Sequence, residues 1–111
     1  MIKQPLEEWR QEARERFGEL GRNWKFICPA CQHVQTGKDF ADKLDIELKE
    51  AANLVLQNCI GRHVKDEGCD WASYGFLGTL GKGRIIVEPN GEETEIFDFA
   101  PDVEDKNDYT F

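Results

Sequence analysis

The sequence predicts a small α+β domain held by a metal staple, and three observations predict it. The chain has 111 residues, enough for one domain but for a core that is marginal without a cross-link or an ion. It contains four cysteines, Cys28, Cys31, Cys59 and Cys69, two of them in a Cys-x-x-Cys pair. Its apolar residues alternate between helical and strand-like spacing along the chain. The expected parts are a knuckle hairpin, two helices and a C-terminal β-hairpin, in a ribbon-like or treble-clef-like arrangement spanning residues 1–111 as one domain.

The first helix is read over residues 5–20. Leu6, Trp9, Ala13, Phe17 and Leu20 fall on one helical face, Pro5 suits a first turn, and Gly18 and Gly21 are stop signals. Trp9 lies on the apolar stripe and is expected in the core. Residues 24–36 read as two short strands around a tight turn that carries Cys28 and Cys31. Residues 38–58 are mostly helical, with Phe40, Leu44, Leu48, Ala51, Ala52 and Val55 on one face. The stretch can also be two pieces, since Asp45 is a credible N-cap for a helix starting at Ile46.

Residues 60–83 hold six of the ten glycines and read as a long loop, a length that signals a function or a constraint such as a metal. Trp71 and Tyr74 are expected to cap the core over this loop. Ile85–Val87 and Ile96–Phe99 flank Pro89-Asn90-Gly91, which suits a type I turn followed by a left-handed residue. The segment 101–111 is acidic and expected to be poorly ordered.

Cys28-Pro-Ala-Cys31 has the spacing that places two sulfurs on one tetrahedral ion, at about 2.3 Å each. Cys59 and Cys69 supply two more, so the leading reading is one structural Zn²⁺ held by all four cysteines. Other readings stay open at this point. His33 or His63 could replace a cysteine, the four could form two disulfides, or the Cys-x-x-Cys could be a redox centre. Disulfides would suit an exported chain, but Met1–Glu8 has no apolar run of the secretory kind. A redox pair opens a helix after a strand, whereas Gln32–Thr36 continues as strand-like sequence. No stretch is long and apolar enough for a membrane span, and the chain reads as cytoplasmic.

The net charge is −8. Residues 85–111 carry nine acidic side chains against one basic, so the whole imbalance lies in the last quarter. Such a chain is a poor general binder of nucleic acid, whose phosphates attract cations.

The residues Phe26-Ile-Cys-Pro-Ala-Cys-Gln-His-Val-Gln-Thr36, with Cys59-Ile-Gly-Arg62 and Cys69-Asp-Trp-Ala-Ser-Tyr-Gly75, resemble a set of short zinc-ribbon-like proteins of bacteriophage and prophage genomes. The resemblance covers residues 24–78 and leaves the N-terminal helix and the acidic hairpin outside. It implies a viral accessory protein in the bacterial cytoplasm and brings no catalytic residue. With no triad pattern and no phosphate loop, the chain is read as a non-enzyme. The expected partner is a host or viral protein with a basic surface, met by Glu88, Glu92, Glu93, Glu95 and Asp98. A more specific expectation is inhibition of a host nucleic-acid-processing or defence complex. The alternative is a zinc finger that binds nucleic acid through Arg62, Lys65, Lys82 and Arg84.

Overall fold

The computed structural model describes residues 1–101. Among them the chain forms three α-helices and two three-stranded sheets, an α+β fold. The first element is one the sequence reading did not contain: strand β1 (Ile2–Pro5), which lies parallel to β4 (Arg84–Val87), Ile2 opposite Arg84. Strand β5 (Glu93–Ile96) pairs antiparallel with β4 and completes the first sheet in the order β1-β4-β5.

Helix α1 (Leu6–Phe17) follows β1 directly. Pro5 caps it and ends the strand, as a residue without a free N–H can do at both positions. Gly18 ends the helix at φ 96°, so the helix stops short of residue 20, and Leu20 is exposed. Strands β2 (Lys25–Ile27) and β3 (Val34–Thr36) form the expected hairpin. The second sheet gains a third strand from far along the chain, β6 (Asp98–Phe99), against β2.

The long helical stretch is two helices, α2 (Gly37–Leu44) and α3 (Leu48–Val55). Thr36 and Asp39 make a reciprocal capping box at the start of α2, which satisfies two otherwise orphaned N–H groups. The break falls where expected, but Asp45 plays the opposite part. It takes the left-handed conformation, φ 56°, that closes α2, and Glu47 begins α3.

The hairpin turn agrees with the sequence. Gly91 donates to the Glu88 carbonyl at 2.8 Å with φ 90°. Its second strand lies earlier than expected, at Glu93–Ile96 instead of Ile96–Phe99, because at buried Phe97 the chain leaves the first sheet and enters the second as β6. The expectation for the acidic segment 101–111 falls, from residue 102 on, outside the described residues.

The core centres on aromatic rings. Trp9 stacks on Phe26 and Phe99 with centroids 6.1 and 5.7 Å away and meets Trp24 edge-on. Beside them sits a buried cation. Arg84 is 3% exposed and donates to both carboxylate oxygens of Glu12 at 2.7 and 2.9 Å, to Asp98 at 2.7 Å and to Gln4 at 2.8 Å. Its guanidinium also lies 4.7 Å from the Phe99 ring centroid. The cluster ties α1, β1, β4 and β6 together through one side chain.

Candidate metal centre

The first pair of cysteines sits at the tip of the β2–β3 hairpin. The Cys28 amide donates to the His33 carbonyl, and the Gln32 amide donates back to Cys28, both at 3.0 Å. Gln32 takes φ 64°, the left-handed residue that turns the chain after Cys31 back into β3. The second pair comes from loop. Cys59 opens a short 3₁₀ turn, Ile60–Arg62, and Cys69 returns from the glycine-rich segment.

Two glycines make that return possible. At Gly61 a Cβ would stand 2.4 Å from the Cys69 carbonyl and 2.5 Å from its amide nitrogen. At Gly68, where φ is +63°, a Cβ would stand 2.5 Å from the Cys59 sulfur. Any side chain at either position would push the two loops apart. The Gly in Cys59-Ile-Gly-Arg62 is thus part of the site's construction.

A further residue holds the site, and the sequence reading passed over it. Gln35, fully buried on β3, donates to the carbonyls of Val55 and Asn58 at 3.0 and 2.7 Å and accepts from the Ile60 amide at 2.9 Å. One side chain therefore ties the first hairpin to the end of α3 and the turn after Cys59. A polar residue at the inward position of a strand was the only signal for it. The Cys59 amide donates to Trp71 and the Ser73 amide to Gln57, both at 2.9 Å, so the loop is pinned on both sides.

The four sulfurs converge. Cys28 and Cys69 stand 3.7 Å apart, Cys31 and Cys59 stand 3.8 Å apart, and all four lie within 4.8 Å of one another. A disulfide needs about 2.05 Å. Four ligands at about 2.3 Å around a tetrahedral ion stand about 3.8 Å from each other. The Cys69 amide also points at the Cys59 sulfur at 3.2 Å. Cys28 and Cys59 are buried, while Cys31 and Cys69 reach partway to solvent. Burial pushes the thiols of Cys28 and Cys69 up. Burial also raises Cys31, but the His33 amide and the neighbouring sulfurs outweigh it and leave that thiol lowered. Such a group of soft ligands is able to hold a cation that displaces the thiol protons.

Neither histidine joins the cluster. His33 lies 3.6 Å from the Glu67 carboxylate, and His63 packs edge-on to Phe40. Arg62 donates to the Asp70 carbonyl at 2.7 Å, bracing the residue after Cys69 instead of a sulfur. Trp71 donates to the Gly78 carbonyl at 2.8 Å, and Tyr74, though 60% exposed, donates to Asn58 at 2.8 Å.

The acidic residues read as partner-binding do not form one free face. Glu92 and Glu93 are exposed and Glu88 is half-buried around the hairpin turn, with Glu93 paired to Lys3. Glu95 accepts from the Thr79 amide at 2.7 Å, and Asp98 is bound to Arg84. The basic set is divided too, since Lys65 and Lys82 are exposed while Arg84 is buried.

Fold and site together define a small α+β domain in which four cysteines form a site able to hold a metal ion. The chain belongs to the VVA0879-like family, which matches residues 5–100. That match takes in α1 and the β4–β5 hairpin, both outside the resemblance drawn from the sequence, and the family description names no activity. No curated protein and no solved structure matches the chain. No helix among the described residues is long and apolar enough to cross a membrane.

Proposed function

We propose that this chain is a zinc-stabilised accessory module of a bacteriophage or prophage that works in the bacterial cytoplasm by binding a host or viral protein and catalyses no reaction. The observation that carries the metal reading is the convergence of four cysteine sulfurs within 4.8 Å of one another. Four thiolates fill every position of a tetrahedral zinc ion and leave none for water or substrate, so the ion holds structure. The phage setting rests on the resemblance of residues 26–36, 59–62 and 69–75.

The partner is a protein with a basic surface, and the more specific version is an inhibitor of a host nucleic-acid-processing or defence complex. Glu88, Glu92 and Glu93 support it from the hairpin turn. Glu95 and Asp98 contribute field more than contact, because each is bound internally. The nucleic-acid alternative is weakened by Arg84, which is spent on Glu12 and Asp98. Affinity capture with the zinc-loaded chain from infected bacteria tests the reading. A discrete protein is expected, retained less by the Glu92→Gln/Glu93→Gln variant and less as salt rises. Submicromolar binding of duplex or single-stranded nucleic acid, lost on Arg62→Ala or Lys65→Ala, would favour the alternative.

A further inference from the structure

Nine large apolar side chains are exposed among the described residues; four of them, Tyr74, Phe76, Leu77 and Leu80, lie in one loop, and two more, Met1 and Ile2, belong to the strand end that meets Thr79 of that loop. Phe76 is 102% exposed, Met1 and Leu77 58% each. The Thr79 hydroxyl meets the Met1 sulfur at 3.5 Å, which joins the chain's start to the loop. Ile2 lies beside Arg84, the first residue of the strand that the loop leads into. From this patch we infer that the loop Tyr74–Leu80, with Met1 and Ile2, is the contact between two copies of this chain in a two-fold dimer.

The loop is built to present its tip. Trp71 holds the Gly78 carbonyl, Glu95 holds the Thr79 amide, and the Thr79 hydroxyl accepts from Gly83 at 2.9 Å. Leu80 is kept at φ 59°, a conformation that strains a branched residue. A half-buried carboxylate and a tryptophan N–H are thus devoted to fixing a loop whose Phe76 is fully exposed. A fixed tip loses little freedom on binding, and contiguous exposed apolar surface marks an interface.

Charge selects a second copy as the occupant. The chain carries net −8, yet residues 71–83 contain one charged side chain, Lys82. Two copies that meet here keep their acidic hairpin turns out of the contact, whereas most other faces would bring like charges together. An apolar patch is its own complement across a two-fold axis. The six side chains offer on the order of 600 Å² per copy, against about 800 Å² per partner in a standard interface. That area lies at the low end of the range, where weak interfaces fall.

Sedimentation velocity of the metal-loaded full chain up to about 200 μM tests this. A concentration-dependent monomer–dimer equilibrium is expected, weakened at least tenfold in Phe76→Ser/Leu77→Ser. That variant removes no internal contact of Phe76, so an unchanged melting temperature at low concentration shows that it folds. Ile2→Ser is expected to weaken the dimer as well. A chain that stays monomeric throughout, or a dimer indifferent to Phe76→Ser/Leu77→Ser, would overturn the inference. So would co-sedimentation of the chain with phosphatidylcholine vesicles through Phe76, which would make the patch a lipid contact. None of these outcomes touches the metal reading, which is checked by zinc content.

Discussion

Around the four cysteines regular structure is sparse. Between Arg62 and Arg84 the backbone forms no helix or named strand, and what fixes it is a set of single hydrogen bonds and the convergence of sulfurs. Around Trp9 the opposite holds. Four aromatic rings, two sheets and α1 meet there, and a buried arginine is satisfied by two carboxylates and an amide. On the proposed zinc reading the first region depends on an ion that must be supplied, and the second on groups the chain carries itself. Loss of one cysteine should therefore cost far more than loss of any one contact in the aromatic region.

The largest effect is expected from Cys28→Ser. A structural zinc contributes roughly 10 kcal/mol or more to a domain of this kind, so this variant should lose the cooperative thermal transition and bind less than one zinc per chain. An unchanged melting temperature would equalise the two regions and defeat the comparison. Next is Gly61→Ala, where the added methyl meets the Cys69 backbone. It should cost about 3 kcal/mol in denaturant unfolding and weaken zinc retention in a chelator competition.

In the other region Arg84→Met should cost about 2–3 kcal/mol. This is less than a fully buried pair would lose, because Glu12 and Asp98 are each about a third exposed and water can take over. Its carboxylate side gives a pH signature. The Arg84 guanidinium holds the Glu12 carboxyl below its ordinary value. The stabilisation is therefore complete above the unfolded value, about 4.3, and is lost as pH falls through the lower folded one. The stability gap between wild type and Glu12→Gln should be constant from pH 6 to 8, by urea unfolding, and shrink in acid. The smallest effect is expected at Trp9→Phe, under about 1 kcal/mol. The indole N–H is buried without a partner, so its loss offsets part of the lost packing.

The same contrast governs what the sequence disclosed. The Cys-x-x-Cys turn, the face of α1 and the Pro89-Asn90-Gly91 turn are local, and local residues specify them. The pairing of β1 with β4 is not. Ile2-Lys3-Gln4-Pro5 has no alternation to distinguish it from a frayed terminus, and its partner lies about 80 residues on. Arg84 was read as a surface charge because its two acids come from α1 and β6, invisible to any window. Asp45 was assigned to the wrong helix end, since a short acid suits both an N-cap and a left-handed stop. Gln35 and Gly61 are understandable only once the loops they join are seen together.

On the proposed zinc reading, one ion held by Cys28, Cys31, Cys59 and Cys69 is a condition of the fold. The most direct test is thermal unfolding of protein purified without added metal and of known metal content, before and after a strong chelator. About one zinc per chain is expected by elemental analysis, with a cooperative transition that collapses on chelation and returns when zinc is restored. A chain that melts at the same temperature with its metal removed would contradict the claim.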